Sequence, residues 1–321
     1  MSLNILETLD RANKELAVKI TIAENNNDLK SFDYKEELFR NKLEMISILK
    51  SEIAGEKSTT TTLAEEIKVF QSQPIRPKYA TGINVIDTRF NGGLELSQLV
   101  LVGGEKGAGK TSIALQFLLN ISEGFKTCFY SFEMPKWKIA QRLLKSNPTR
   151  NQTSNFNLHA DGRDIADIER SVKKLAKEDT KFFVIDSLMK ITNTTFKTKN
   201  EQVSDITSRI SRLCVELDII IVLIVQVSKD DLKTGHMAVK GSGDADYDAD
   251  IMFFIQRDKK DEIKRILICD KNRQNGNEFK EELYFNNQTV ALQGYKPSVC
   301  EIEYTTSKYT FNDNIQMAGK I

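Results

Sequence analysis

The sequence of 321 residues has few cysteines, no long apolar run and almost no net charge. Its four cysteines (Cys128, Cys214, Cys269 and Cys300) form no C-x-x-C pair, so we expect no zinc site and thiols kept in a reducing compartment. No apolar run reaches about 18 residues and no charged-then-apolar leader is found, so we expect a soluble, unexported protein without a membrane partner. The net charge of +1 neither requires nor excludes a nucleic-acid partner, so an anion-binding surface must be local.

The first part of the chain has the periodicity of helices. Residues 1–58 carry apolar side chains at helical spacing in two stretches separated by polar residues, which predicts a helical hairpin. In residues 59–79, Leu63, Ile67 and Phe70 share one face of a short helix that prolines then end. We interpret this segment as a linker helix whose apolar face packs either on its own chain or on another copy.

From residue 80 the pattern changes to apolar strands that alternate with helical segments. Several strands are apolar throughout, as in parallel strands that helices cover on both faces. Residues 80–296 are therefore predicted to form an α/β domain with a mainly parallel sheet, and the polar residues 297–321 to form a tail. The predicted strands are QLVLVGG, KTCFYSFE, KFFVID, IIIVLIVQ, DIMFFIQ and RILICD.

The segment GEKGAGKT fits the phosphate-loop pattern G-x-x-x-x-G-K-T between a strand and a helix. Its glycines allow the backbone to wrap closely, so that N–H groups point at phosphate oxygens. Lys110 is expected to reach the β- and γ-phosphates of ATP, and the Thr111 hydroxyl to bind Mg²⁺. The predicted nucleotide-binding residues are Gly104, Glu105, Lys106, Gly107, Ala108, Gly109, Lys110, Thr111 and Ser112.

Three polar side chains follow predicted strands at the edge where such folds bind ligands. Asp186 ends FFVID and is predicted to hold Mg²⁺ together with Thr111. Glu133 follows the second strand and is the candidate to orient and deprotonate the attacking water, although a carboxylate also suits the start of a helix through its dipole alone. Gln226 ends IVLIVQ and is predicted to hydrogen-bond the γ-phosphate.

Several segments together resemble the helicase domain of DnaB-type replicative DNA helicases, a RecA-like group that includes the phage primase-helicases. They are TGINVIDTRFNGGL, GGEKGAGKT, YSFEMPKWKIAQRLL, FFVIDS, IVQVSK, GSGDADYDADIMFFIQRD and DKNRQNG, within residues 80–290. The resemblance implies a RecA-like P-loop NTPase core after a small all-helical segment, with ATP and Mg²⁺ as cofactors. It also implies a homo-oligomeric, hexameric ring in the cytoplasm of a bacterial or phage-infected cell.

Lys271 and Arg273 match the K-x-R segment of that family. Their alternation on an extended chain places both side chains on the same side. The resemblance implies that they reach the γ-phosphate of the nucleotide bound by the neighbouring subunit. A cation supplied in this way, called an arginine finger, raises the rate of ATP hydrolysis by about 10³- to 10⁵-fold. Without the other motifs, the pair would be interpreted as solvated cations at the end of a strand.

Two polar loops after the third and fourth strands resemble the DNA-binding loops of the family. Lysines and backbone amides there would grip the phosphates of single-stranded DNA without reading its sequence. Taken alone, each lysine is an ordinary solvated loop residue, and Asp230 and Asp231 lower the local positive charge. The predicted DNA-binding residues are Lys190, Lys197, Lys199, Lys229, Lys233, Lys240, Gly241 and Gly243.

The motifs and the resemblance predict an ATP hydrolase that translocates on single-stranded DNA and unwinds duplex at a replication fork. One alternative is a RecA-like recombinase or DNA-dependent ATPase filament, and another is a non-translocating nucleotide switch that loads a helicase. The roughly 75 residues before the helicase-like domain contain no cysteine, so primase activity is not expected. Candidate protein partners are a separate primase, a polymerase or a loader.

Overall fold

The computed structural model describes residues 2–26, 28–53, 61–73, 76–193, 196, 198–227, 245–286, 289 and 291–294. The chain divides into two compact units, Met1–Ile75 and Arg76–Ile321. The tail predicted at residues 297–321 lies outside the described residues. In the described part of the chain, no helix combines the length and the apolar character needed to cross a membrane.

The first unit is helical. Helices α1 (Ser2–Asn25) and α2 (Lys30–Ile53) pack against each other and bury Leu16, Ala23 and Ser31. Glu24 near the end of α1 pairs with Lys35 near the start of α2 at 2.5 Å. Asn13 donates to Met45 in the second half of α2 at 3.1 Å, so the helices run antiparallel as a hairpin. The domain boundaries of the hairpin (1–58) and of the following linker (59–79) stay a prediction.

Helix α3 (Leu63–Ser72) begins at a capping box. The Glu65 N–H donates to the Thr62 hydroxyl at 3.3 Å, and the Thr62 N–H donates to the Glu65 carboxylate at 2.8 Å. These two bonds satisfy N–H groups that the first turn of a helix would leave unpaired. The side chains that were expected to share an apolar face, Leu63, Ile67 and Phe70, are all exposed.

The second unit is built on a mixed sheet. Among the described residues the sheet has nine strands in the order β3-β2-β4-β5-β1-β6-β7-β8-β9. All pairs from β3 to β6 along this order are parallel, and β7, β8 and β9 are added antiparallel. The strands are β1 (Gln98–Gly104), β2 (Lys126–Ser131), β3 (Phe156–His159), β4 (Thr180–Asp186), β5 (Ile220–Ile224), β6 (Ile251–Arg257), β7 (Lys264–Asn272), β8 (Phe279–Asn286) and β9 (Ala291–Gln293).

Helices cover both faces of this sheet, which explains why its central strands are apolar throughout. In β1, Val100 and Val102 join a core cluster with α5 (Lys110–Ile121), whereas Leu99 and Leu101 join a second cluster with α8 (Ile165–Lys177) and α9 (Lys199–Leu217). The helices of this unit are α4 (Asn84–Arg89), α5 (Lys110–Ile121), α6 (Lys136–Leu144), α7 (Arg150–Asn155), α8 (Ile165–Lys177), α9 (Lys199–Leu217) and α10 (Ala245–Asp248), with a 3₁₀ turn at Leu188–Lys190.

The predicted α/β class with a mainly parallel sheet is confirmed. Strands β3, β8 and β9 were not predicted. Tyr79, at the end of the expected linker, pairs with Leu94 and is buried in the core of the second unit. For function, the decisive feature is that β2, β4, β5 and β1 are consecutive and parallel, because their carboxyl ends then meet at one edge of the sheet.

Candidate functional site

The phosphate loop connects β1 to α5 at this edge. Gly104 has φ +151°, and a Cβ at this position would lie 2.3 Å from the carbonyl oxygen of Ile255 in β6. Only glycine fits there, so the start of the loop is held tightly against the neighbouring strand. At the other end, Gly109 precedes α5, whose first turn has no side-chain cap. The free N–H groups and the helix dipole of α5 therefore offer a site for an anion.

Lys110 lies folded back into this loop. Its Nζ donates to the carbonyl oxygens of Gly104 and Glu105, both at 2.9 Å. Burial lowers the pKa of Lys110, and the nearby carboxylates of Asp186, Glu133 and Glu105 oppose that shift. The loop thus holds a half-buried cation inside the arc where a phosphate would bind.

Thr111 and Asp186 meet across 75 residues of sequence. The Thr111 hydroxyl donates to Asp186 Oδ2 at 2.7 Å, and Asp186 is only 2% exposed. Burial raises the pKa of Asp186 to about 6; the bond from Thr111 opposes this shift, while the charge of Glu133 adds to it. A hydroxyl and a carboxylate are hard oxygen donors, so the pair fits Mg²⁺.

A cation here would need further ligands from outside the chain. Among the described residues, no group of three or more His, Cys, Asp or Glu side chains could hold a metal ion. Mg²⁺ ordinarily uses one or two protein oxygens and takes phosphate oxygens and waters for the rest. The sparse donor set of Thr111 and Asp186 therefore suits a metal that arrives with a nucleotide.

Glu133 lies next to this pair. It follows β2 by two residues, its side chain is exposed, and Oε1 accepts a hydrogen bond from the Ser187 hydroxyl at 2.9 Å. Gln226 follows β5 by two residues and is also exposed. Lys110, Asp186, Glu133 and Gln226 all line one cleft of about 1130 Å³. The structure therefore brings the three side chains that follow separate strands into one cleft with the lysine of the phosphate loop.

Arginines that the sequence analysis missed surround the same cleft. Arg142 of α6 donates to the Ser112 hydroxyl at the start of α5. Arg265 is buried and its Nε donates to the Ala108 carbonyl at 2.9 Å, which supports the phosphate loop from behind. Burial lowers the pKa of both guanidinium groups, and Asp186 opposes the shift at Arg142. The only sequence signal for Arg142 was its position within the helicase-like segment YSFEMPKWKIAQRLL.

Two of the lysines predicted to bind DNA lie on the rim of this cleft. Lys190 ends the 3₁₀ turn after β4, Lys199 begins α9, and both side chains are exposed. Their role in DNA binding stays a prediction. The other predicted DNA-binding residues, Lys197, Lys229, Lys233, Lys240, Gly241 and Gly243, lie outside the described residues.

Lys271 and Arg273 lie at the opposite edge of the sheet from the phosphate loop. Lys271 Nζ and Arg273 Nη2 both donate to the Tyr247 carbonyl, at 3.5 and 2.9 Å, so the two cations are on the same side. The Arg273 N–H donates to the carbonyl of Asp250, whose own N–H donates to Leu99 in β1, each at 2.9 Å.

Arg273 lies too far from the phosphate loop of its own chain to contact a nucleotide bound there. Leu99 precedes Gly104, where the loop begins, by about five residues of strand, or about 16 Å. The Arg273 side chain is half exposed and contacts Asp250 and the Tyr247 carbonyl, both before β6. Any action of Arg273 on a nucleotide therefore requires another copy of the chain.

The burial of the Asp186 carboxylate can be tested without any ligand, through the pH dependence of protein stability. Because its pKa is raised from 3.8 to about 6, the folded protein binds a proton more tightly than the unfolded chain, and stability falls as pH rises through this range. We expect Asp186→Asn to raise the free energy of unfolding at pH 8 by up to about 3 kcal/mol. The gain should shrink steadily toward pH 4, where the folded carboxyl is protonated and nearly half of the unfolded one is protonated as well.

The measurement is thermal unfolding of both proteins between pH 4 and pH 8 without nucleotide or Mg²⁺. Thr111→Val is the matched control, because it removes the hydroxyl and keeps the carboxylate. A stability difference between Asp186→Asn and wild type that does not change with pH would contradict the assignment of the charge to Asp186.

Two family models match the second unit. The model described as DnaB-like helicase C terminal domain matches residues 150–293, and the KaiC ATPase model matches residues 79–149. The replicative DNA helicase DnaB of Treponema pallidum is 27% identical over 60% of this chain and 51% of its own length. The DNA repair protein RadA of Rickettsia typhi is 29% identical over 72% of this chain and 48% of its own length.

A solved structure agrees with these sequence matches. A DnaB-like replicative helicase, whose structure was described with its interactions with primase, superposes with a TM-score of 0.65 at 19% identity, covering 90% of this chain and 76% of that one. The RecA-like fold and the resemblance to DnaB-type helicases are therefore confirmed. This chain spans about half the length of the curated relatives that it matches.

Proposed function

We propose that this chain is an ATP-driven DNA helicase that forms a ring, translocates on single-stranded DNA and unwinds duplex at a replication fork. The observation that carries the proposal is the distribution of charge over two opposite edges of one sheet. The phosphate loop, Asp186 and Glu133 lie at one edge, and Lys271 and Arg273 lie at the other. Such a chain needs a second copy to complete its hydrolysis site.

Within one subunit, the cleft would bind ATP and Mg²⁺. Backbone N–H groups of the loop and the start of α5 would hold the phosphates, and Lys110 would leave its two carbonyl partners to contact the β- and γ-phosphates. Thr111 and Asp186 would hold Mg²⁺, which when bound neutralises charge on the phosphates. Glu133, with its second carboxylate oxygen free of Ser187, would orient and deprotonate the attacking water.

Between subunits, the arginine finger would come from the neighbour. Arg273 is half exposed and held by a carbonyl and by the Asp250 carboxylate at 3.4 Å, an arrangement that fixes the side chain while leaving donors free. In a closed ring, every subunit would offer one finger and receive another. The proposed assembly is a homohexamer, and a primase, polymerase or loader remains a candidate partner.

Single-stranded DNA should stimulate ATP hydrolysis regardless of its sequence, because lysines that contact phosphates do not read bases. Binding should weaken steeply with salt as counterions are released from the DNA. Replacing Lys229, Lys233 and Lys240 together with alanine should reduce the slope of log K against log salt by about 2. Fluorescence anisotropy of labelled oligonucleotides at several salt concentrations measures this slope. An unchanged slope would mean that the DNA does not contact the loop that carries these three lysines.

Unwinding of a forked duplex tests the helicase proposal itself. The RadA relatives favour one other candidate, a RecA-like DNA-dependent ATPase that acts in repair rather than at forks. A helicase should displace the second strand of a fork in an ATP-dependent manner and form rings in negative-stain micrographs. Strand exchange between homologous DNAs without unwinding of the fork, or filaments on DNA, would favour the RadA-like candidate.

A further inference from the structure

We infer that Ser187 is a positioning residue for the catalytic Glu133 carboxylate, and that it couples this carboxylate to the turn that carries Lys190. The inference rests on the proposed function, in which Glu133 activates water and Lys190 contacts single-stranded DNA. Nothing in that function requires Ser187, which follows the Mg²⁺-binding Asp186 and is itself not expected to bind metal or nucleotide.

The backbones of the two residues are already fixed to each other. The Phe132 N–H donates to the Asp186 carbonyl at 2.9 Å, so the chain just before Glu133 is bound to the chain just before Ser187. This bond restricts the backbone next to Glu133 and leaves the side-chain torsions of Glu133 free. An exposed glutamate without a partner would occupy several rotamers, and few of them would hold a water in line with the γ-phosphate.

The Ser187 hydroxyl limits this freedom. Its Oγ donates to Glu133 Oε1 at 2.9 Å, while Ser187 itself is only 1% exposed. A buried donor on a fixed backbone can hold one carboxylate oxygen in one place and leave the other facing the cleft. Ser187 therefore defines the direction from which Glu133 meets a water.

The same residue begins the turn that leads to Lys190. The Lys190 N–H donates to the Ser187 carbonyl at 2.9 Å and closes the 3₁₀ turn. The exposed Lys190 side chain lies on the rim of the cleft that Glu133 and Ser187 also line. A DNA phosphate that draws Lys190 toward it would shift this turn, and the shift would pass through Ser187 to the Glu133 carboxylate without any intervening side chain.

Replacing the hydroxyl tests the positioning role. Ser187→Ala should lower kcat for ATP by about 10- to 100-fold, with KM and nucleotide affinity unchanged, because the phosphate contacts remain while the base loses its orientation. Ser187→Cys fills the same space but is a weaker donor, so its kcat should lie between those of wild type and Ser187→Ala. A role in packing alone would instead leave Ser187→Cys like wild type.

Ser122→Ala is the matched control. Ser122 is fully buried, and its hydroxyl donates only to the Leu118 carbonyl at the far end of α5. Its loss should change the melting temperature without changing kcat. In the Glu133→Gln background, Ser187→Ala should cause no further loss, because the group that it positions is already gone.

The coupling to Lys190 is tested at saturating single-stranded DNA. Lys190→Ala should lower the DNA-stimulated kcat in the wild-type background and should have no further effect in Ser187→Ala. Multiplicative effects of the two substitutions would overturn the coupling. If wild type hydrolyses ATP and Glu133→Gln does not, but Ser187→Ala matches Ser122→Ala, the inference about Ser187 fails and the proposed function stands. If Glu133→Gln turns over ATP like wild type, the proposed function itself fails.

Discussion

Lys110→Ala is expected to lower ATP hydrolysis by about 10²- to 10³-fold and to weaken nucleotide binding, because it removes the one cation held inside the phosphate loop. Glu133→Gln is expected to lose about 10²- to 10⁴-fold in kcat while nucleotide affinity stays near the wild-type value. The two variants separate binding from chemistry, since Lys110 meets the phosphates and Glu133 meets the water. Steady-state hydrolysis and titration with a fluorescent ATP analogue measure the two effects.

The structure supports this division of roles. Lys110 Nζ is held by two backbone carbonyls, so a γ-phosphate can take over those bonds without a change elsewhere in the fold. Glu133 is exposed and its Oε1 accepts a hydrogen bond from Ser187, a bond that the Oε1 of a glutamine can also accept, so its amide analogue should fit the same space.

Lys126→Ala serves as the control for the lysine. Lys126 begins β2 and therefore lies at the opposite edge of the sheet from the cleft, where its Nζ donates to the Glu178 carbonyl. Loss of activity there would indicate damage to the fold rather than to the site. Near-normal turnover by Glu133→Gln would remove Glu133 from the mechanism and leave the water-activating base to be identified.

Arg273→Ala should lower hydrolysis by about 10³-fold or more, although Arg273 lies far from the phosphate loop of its own chain. The reason is that the guanidinium would serve the γ-phosphate of the neighbouring subunit. Lys110→Ala keeps an intact finger and lacks a working loop, whereas Arg273→Ala keeps the loop and lacks the finger. Each variant alone should therefore leave every interface incomplete.

Mixing the two variants tests whether the site is shared. After subunit exchange at equal concentrations, about one quarter of interfaces should pair an intact loop with an intact finger, and hydrolysis should recover up to that fraction. Rate measurements before and after exchange reveal the gain. The control is the double variant mixed with wild type, which offers no new complete interface and should only lower the activity.

Two outcomes would contradict the shared site. Full activity of Arg273→Ala alone would leave Lys271 and Arg273 as surface cations. Absence of any recovery, with exchange verified by labelled subunits and with wild-type–variant mixtures active, would mean that the finger does not act across the interface.

The parts of the site that were predictable are those made by neighbours in sequence. The phosphate loop could be recognised because its glycines, Lys110 and Thr111 are consecutive, and their spacing alone determines how a backbone wraps a phosphate. The central strands were predictable because burial on both faces leaves a continuous apolar run. Positions at the ends of such strands then pointed to Glu133, Asp186 and Gln226, which the sheet order brings to one cleft.

The edge strands were not predictable in the same way. Strand β3 has four residues and β9 has three, so neither is long enough for a clear period. Strand β8 lies between β7 and the edge strand β9, and three successive charged residues, Lys280, Glu281 and Glu282, interrupt its apolar pattern. Short or charged strands carry little apolar pattern, and only their pairing partners define them.

What the sequence by itself determined is the chemistry within short segments: a loop that binds phosphate, carboxylates at strand ends and a pair of alternating cations. What only the tertiary structure decided is which of these groups meet. Arg265 supports Ala108 across 157 residues, and Ser187 holds Glu133 across 54. A serine or an arginine has the same local sequence signal whether it faces solvent or another segment, because its partner is chosen by chain topology. The separation of Arg273 from its own phosphate loop likewise follows from β7 running antiparallel to β6.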